Sequence, residues 1–211
     1  MDEVQLLDEQ LFVFLNSLGS GRWDGLWLAV TNKFSWIPLY VALLYLAHRH
    51  SGLKNMLVIL VLITVMITMT DQLANLFKHY FERPRPCRQE HLQEVIRYIA
   101  PRCGRHGYFS AHAANSMAFA VLLGSLLKRS HGYLVLPLIC WASIVGFSRV
   151  YVGVHYPLDV LTGLAIGALA GFLAYRVSKR LKPSGTLQFF GRPCRPFDGQ
   201  GSVPKPMRRQ A

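Results

Sequence analysis

The sequence predicts an all-α bundle of about five membrane-crossing helices preceded by interfacial amino-terminal helices. Three observations predict it. The 211 residues are 52% hydrophobic and only 16% charged, an unusual balance for a water-soluble domain of this size. Five apolar runs recur, at Ser35 to Ala47, Met56 to Met69, Phe109 to Leu127, Tyr133 to Phe147 and Leu158 to Val177. With its flanks, each reaches the roughly 20 residues needed to cross about 30 Å of hydrocarbon. Finally, the basic residues collect at the ends of these runs and in the connecting segments. A large soluble bundle also has apolar core helices, but so many closely spaced runs would leave it little polar face for water.

Taken in order, Leu6, Leu7, Leu11, Phe12, Phe14 and Leu15 recur on roughly one side of a helix, with Asp8, Glu9 and Gln10 between them, which predicts an interfacial helix. Asp2, Glu3, Asp8 and Glu9 deny this segment the basic start of a cleaved leader. A second short apolar stretch, Trp23 to Val30, leads to a break at Asn32-Lys33; a sixth passage built from these pieces stays open at this level. Short connections at His48 to Lys54 and Lys128 to Gly132 alternate with one long segment, Lys78 to Gly107, as expected if the long loop serves a site. The expected organisation is an interfacial helix over 1–20, a membrane domain over 21–181 and a disordered, basic, Pro/Gly-rich tail over 182–211.

The formal net charge of +12 raises the question of nucleic acid. Neither zinc-ligand spacing nor a basic region running into heptads accompanies it, so lipid headgroups or an anionic substrate are the expected partners, and nucleic acid is not. The long-loop surface would carry 10 of the 23 Lys and Arg, and the opposite surface 13. That excess places the loop outside by the positive-inside rule. Cys87 and Cys103 both lie in the loop, and a disulfide between them would suit an oxidising exterior.

Three clusters carry the chemistry. Lys78 is followed by Arg85-Pro86; Ser110-Ala111-His112 opens the third span; Ser148-Arg149, His155 and Asp159 join the ends of two successive spans. Ionisable groups at membrane depth are costly, so five of them at one level suggest a shared site. Lys78, Arg85 and Arg149 match a phosphate by charge and by the planar fork of Arg, and Ser110 with the amides opening the third span adds neutral donors. Asp159, four residues after His155, is placed to hold one imidazole nitrogen and leave the other nucleophilic. His112 is the candidate acid and base. Any one of these cations alone would read as a residue snorkelling at the membrane edge. Asp71, Asn75 and Lys78 share one face of the second span, as do His112, Asn115 and Ser116 in the third, and Gly163, Gly167 and Gly171 predict close packing of the fifth.

Lys78-x6-Arg85-Pro86, Ser110-Ala111-His112 and Ser148-Arg149-x5-His155-x3-Asp159 resemble, in order, the three signature motifs of the PAP2 (phosphatidic acid phosphatase type 2) superfamily. The resemblance implies a PAP2/haloperoxidase-like core and a metal-independent, cofactor-free lipid phosphatase. His155 would form a phosphohistidine, Asp159 would orient it, His112 would be acid and base, and Lys78, Arg85, Ser110 and Arg149 would hold phosphate. Ala111 stands where the second motif usually has glycine; it keeps its amide and adds a methyl group. A bacterial inner membrane is then the expected location, and the charge and cysteine arguments make the site face the periplasm or exterior. Undecaprenyl diphosphate is the first substrate expected, with lipid A, phosphatidylglycerophosphate and phosphatidate as alternatives. The superfamily's soluble vanadate-dependent haloperoxidases fit the apolar spans poorly. A lipid-binding or translocating protein that kept the cradle without turnover is the alternative of another class. Oligomeric state is not legible.

Overall fold

Helix α1 (Glu3–Ser17) buries Asp8, Phe12 and Asn16 and leaves Leu6, Leu7, Leu11 and Phe14 exposed. The inward face is therefore the more polar one, because it meets loop arginines and backbone carbonyls. Asn16 donates to Tyr151 O at 3.0 Å and accepts from Arg97 N at 2.7 Å. The computed structural model describes residues 3–128 and 130–181; the tail expected to be disordered lies outside them. Helix α2 (Asp24–Thr31) has 8 residues, about 12 Å of helix, too short to cross a bilayer. Trp27 stacks on Tyr151 at 4.9 Å between ring centroids, so α2 lies across the end of the bundle and adds no sixth passage.

Helix α3 (Ile37–Phe81) is broken at Gly52, whose φ of 76° suits glycine. In a straight helix Tyr40 and Ile67 would stand about 40 Å apart, yet both line one cavity. The chain thus folds back at Gly52, and Leu43 and Ala47 share a core with Ile59, Ile63 and Met66. On the second arm, Leu53, Leu57, Val61, Val65, Met69, Leu73, Leu76 and Tyr80 are exposed. Their spacing of three and four residues makes one apolar outer face suited to lipid.

Helices α4 (Ala111–Leu127), α5 (Val135–Tyr151) and α6 (Pro157–Arg180) complete five helical passes among the described residues. Three segments are long and apolar enough to span a membrane: Ser51–Phe81, Gly132–Tyr151 and Pro157–Arg180. Helix α4 is shorter at 17 residues and mostly buried, so it packs against protein rather than lipid. Gly163, Gly167 and Gly171 face it from α6: a Cβ on Gly163 would lie 2.5 Å from Ser110 O, and Cβ atoms on Gly167 and Gly171 would collide with the carbonyls of Ala114 and Ala118. Removing side chains there lets two backbones approach closely. The second and fourth connections between passes converge at one end, where the long loop, α1 and α2 meet the α5–α6 turn.

Candidate active site

Two local rules set the α5–α6 turn. Gly153 has φ 82° and its missing side chain would press on Arg97 O at 2.8 Å, so the chain reverses tightly there. Val154 N and His155 N both donate to Arg149 O, at 3.1 and 3.3 Å. Pro157 opens α6, and Asp159 in its first turn accepts from Tyr156 N at 3.1 Å, an arrangement favoured at helix starts.

His155 is 2% exposed and Asp159 fully buried, with His155 Nδ1 3.3 Å from Asp159 Oδ2. An ionised carboxylate only accepts, so Nδ1 carries the proton and Nε2 keeps its lone pair. Burial lowers the His155 pKa to about 4; the Asp159 hydrogen bond and charge oppose this, and Arg85 and Arg149 reinforce it. The imidazole is therefore neutral at physiological pH.

His155 forms part of the wall of a cavity of about 620 Å³ together with Lys78, Arg85, Ala111, His112 and Arg149. Lys33, Thr31 and Asp71 join them, and the far part is apolar: Tyr40, Leu44, Leu60, Ile63, Ile67 and Phe119. Arg149 donates to Thr31 Oγ1 at 2.5 Å, while its Nε is buried with no protein partner. Arg85 Nε donates to His106 O at 3.0 Å, and a Cβ on Gly104 would sit 3.1 Å from that nitrogen. Asp71 accepts from Asn115 at 2.8 Å, and Asn115 also meets Thr70.

Ser110 is placed differently from the other expected phosphate ligands. It is fully buried and absent from the cavity wall. Its Oγ accepts from Ala113 N at 3.5 Å and its own amide donates to Asp159 O at 3.0 Å. It caps α4 and ties that helix to α6, which leaves the following first-turn amides of Ala111 and His112 without intrahelical partners. Cys87 and Cys103 are joined in a disulfide. A second, polar cavity of about 450 Å³ shares Lys78 and Arg85 and adds Asn75, His79, Glu82 and Arg105.

Sequence reasoning missed Thr31, Asp8 and the use made of Arg83. Arg83 donates to Asp159 Oδ1 at 2.8 Å and to Asp8 Oδ2 at 2.6 Å. Nothing in the spacing around Thr31 or Asp8 signals these contacts, because both lie far from the clusters along the chain.

A fold of five apolar passes with cations and two histidines around one cavity defines a membrane phosphatase class. A model of the PAP2 superfamily matches residues 35–183, and the chain belongs to that superfamily. A lipid A 4'-phosphatase of Bacteroides thetaiotaomicron is 34% identical over 178 residues, covering 83% of this chain and 78% of the relative. An undecaprenyl-diphosphatase of Sulfolobus acidocaldarius is 29% identical over 171 residues, covering 80% and 77%. The solved PAP2-type phosphatidylglycerolphosphate phosphatase of Bacillus subtilis superposes with a TM-score of 0.69 at 20% identity, covering 87% of this chain and 90% of that one. The protein is an integral-membrane lipid phosphatase of the PAP2 type.

Proposed function

We propose that the chain removes phosphate from a lipid through a phosphohistidine at His155, with Lys78, Arg85, Arg149 and the Ala111 amide holding the phosphoryl oxygens. The carrying observation is a single cavity with a cationic, imidazole-bearing end and an apolar remainder. A phosphate fits the first and the lipid chain the second. The buried, unpartnered Nε of Arg149 supports an anion at that end, since buried donors without partners are costly.

His155 Nε2 attacks phosphorus as the bond to the ester oxygen breaks. Asp159 holds Nδ1–H and offsets the charge that develops on the ring. His112 gives its proton to the leaving oxygen, then takes one from the water that attacks the phosphoimidazole. Inorganic phosphate leaves and both imidazoles return to their starting states. Three cations stabilise the extra charge of each transition state without a metal. Ser110 serves by capping α4 behind His112.

For the substrate, a lipid A-type phosphate now stands ahead of undecaprenyl diphosphate. Two lipid A 4'-phosphatases, 34% and 26% identical, each match more than four-fifths of this chain. The polar cavity beside Lys78 and Arg85 also has room for a headgroup larger than phosphate. The disulfide supports a site on the oxidising side of a bacterial inner membrane, with residues 3–20 lying at that surface.

The test is phosphate release by purified protein in detergent with EDTA, from lipid A, undecaprenyl diphosphate and short-chain phosphatidate. Lipid A should be turned over fastest and EDTA should leave the rate unchanged. His155→Ala should lose at least about a thousandfold and trap no acid-labile phosphoenzyme, while His48→Ala behaves as wild type. Undiminished release by His155→Ala would refute the assignment.

A further inference from the structure

The catalytic pair does not end at Asp159. Its Oδ2 serves His155 and the Tyr156 amide, and its Oδ1 takes a bond from Arg83. Arg83 in turn is bonded to Asp8 Oδ2, and Asp8 Oδ1 accepts from Leu158 N at 2.8 Å. The guanidinium also lies over the Tyr156 ring at 4.1 Å, and Arg83 O accepts from Gly107 N at 2.9 Å. The group is thus held by two carboxylates, one ring face and its own backbone.

We propose that Arg83 and Asp8 are positioning residues for the phosphatase reaction: Arg83 fixes the Asp159 carboxylate against His155, and Asp8 offsets the guanidinium charge. The proposal rests on His155 as nucleophile. A lone arginine on Asp159 would fix its orientation but cancel much of the negative charge that a developing phosphoimidazolium needs. A second carboxylate divides the arginine between two anions and restores that charge. The device also makes the amino-terminal helix part of the site, since Asp8 is contributed by α1 and bonds the first turn of α6.

A scaffold role alone explains the arrangement poorly. Burial raises the Asp8 pKa in spite of the bonds from Arg83 and Leu158, so burying this carboxylate is itself unfavourable. Buried ion pairs are in general no better for stability than apolar packing of equal volume. Two carboxylates converging on one guanidinium one bond away from the nucleophile's partner fit an electrostatic purpose.

The charges facing His155 are Asp159 from α6, Arg149 from α5, His112 from α4, Lys78 and Asp71 from α3, Arg85 from the long loop and Lys33 from the turn before α3. None changes in the two variants that test the idea, so opposite effects are expected. Arg83→Gln removes a cation behind Asp159, raises the proton affinity of His155 and moves the acid limb of kcat to higher pH. Asp8→Asn keeps the shape, removes an anion and moves that limb to lower pH, each by up to about one pH unit.

The experiment is a pH profile of full-length protein in detergent with short-chain phosphatidate, beside thermal unfolding of each variant. Arg83→Gln should lower kcat roughly 10- to 100-fold with KM within about twofold. Arg83→Lys should keep the wild-type acid limb without restoring kcat, because an ammonium cannot bridge both carboxylates with the same fork. Acid limbs that coincide with wild type, or shift in one direction for both variants, overturn the proposal. If Arg83→Gln fails to fold, the isosteric Asp8→Asn and its downward shift decide alone. Activity surviving in His155→Ala would instead overturn the nucleophile assignment beneath it.

Discussion

His155 sits in the five-residue link between α5 and α6, and its burial has a consequence for stability as well as for nucleophilicity. An imidazole in the unfolded chain titrates near 6.5, whereas in the folded protein burial holds it near 4. As pH falls below about 6.5 the unfolded state takes up the proton first, so the native state loses stability until the folded imidazole also titrates. The stability difference is fully present above pH 6.5 and should fall by on the order of 3 kcal/mol on the way to pH 4. Thermal unfolding in detergent at pH 7, 5.5 and 4 checks this: wild type should lose Tm steeply, and His155→Gln should show a flatter profile. Equal slopes would mean that other groups carry the acid sensitivity. At the same scale, Gly107 lies against the pair, since a Cβ there would be 3.3 Å from Asp159 Oδ2 and 3.7 Å from His155 Nδ1. The loop closes over the histidine because that residue has no side chain.

At the scale of elements, α4 and α6 are the pair that decides whether His112 and His155 face one cavity. Their contact runs along Gly163, Gly167 and Gly171, where side chains of α6 are absent and the backbone of α4 fills the space. Gly167→Ala should therefore destabilise the protein by roughly 1–3 kcal/mol, overpacking outweighing the helix propensity gained. Gly25→Ala in α2, where a Cβ meets nothing within 4 Å, is the matched control and should leave Tm unchanged or slightly higher. Equal Tm values for the two variants would show that α6 has room to move away from α4. Helix α1 teaches a different lesson about elements. Leu6, Leu7, Leu11 and Phe14 stay exposed while Asp8 and Asn16 turn inward with Phe12, because a helix laid over polar loop ends is buried by hydrogen bonds to them.

Across the whole molecule, the site, the disulfide, α1 and α2 share one end, and the turn at Gly52 and the α4–α5 connection share the other. Sidedness is therefore a single question. In spheroplasts, an impermeant reductant followed by an impermeant maleimide should label Cys87 and Cys103 in a Cys140→Ser, Cys194→Ser background. Labelling only after the membrane is permeabilised would place the site inside and remove the disulfide argument for an exterior site.

Much of this architecture was legible along the chain. Apolar run lengths are set by bilayer thickness, a physical constraint acting on each helix separately, so the five passes and the glycine-spaced seam could be read locally. The three ionisable clusters were legible for the same reason, because charges at helix ends within an apolar chain are costly enough to stand out. What the sequence by itself determined is the class: a polytopic helical phosphatase with Lys78, Arg85, His112, Arg149, His155 and Asp159 as its candidates. Only the tertiary structure decided that the Ser110 amide bonds Asp159 O and ties α4 to α6, that Thr31 partners Arg149, and that Asp8 reaches Asp159 through Arg83. The Thr31, Asp8 and Arg83 contacts join residues 75 or more positions apart. Such pairings leave no periodicity to read, since they arise where separate helix ends meet.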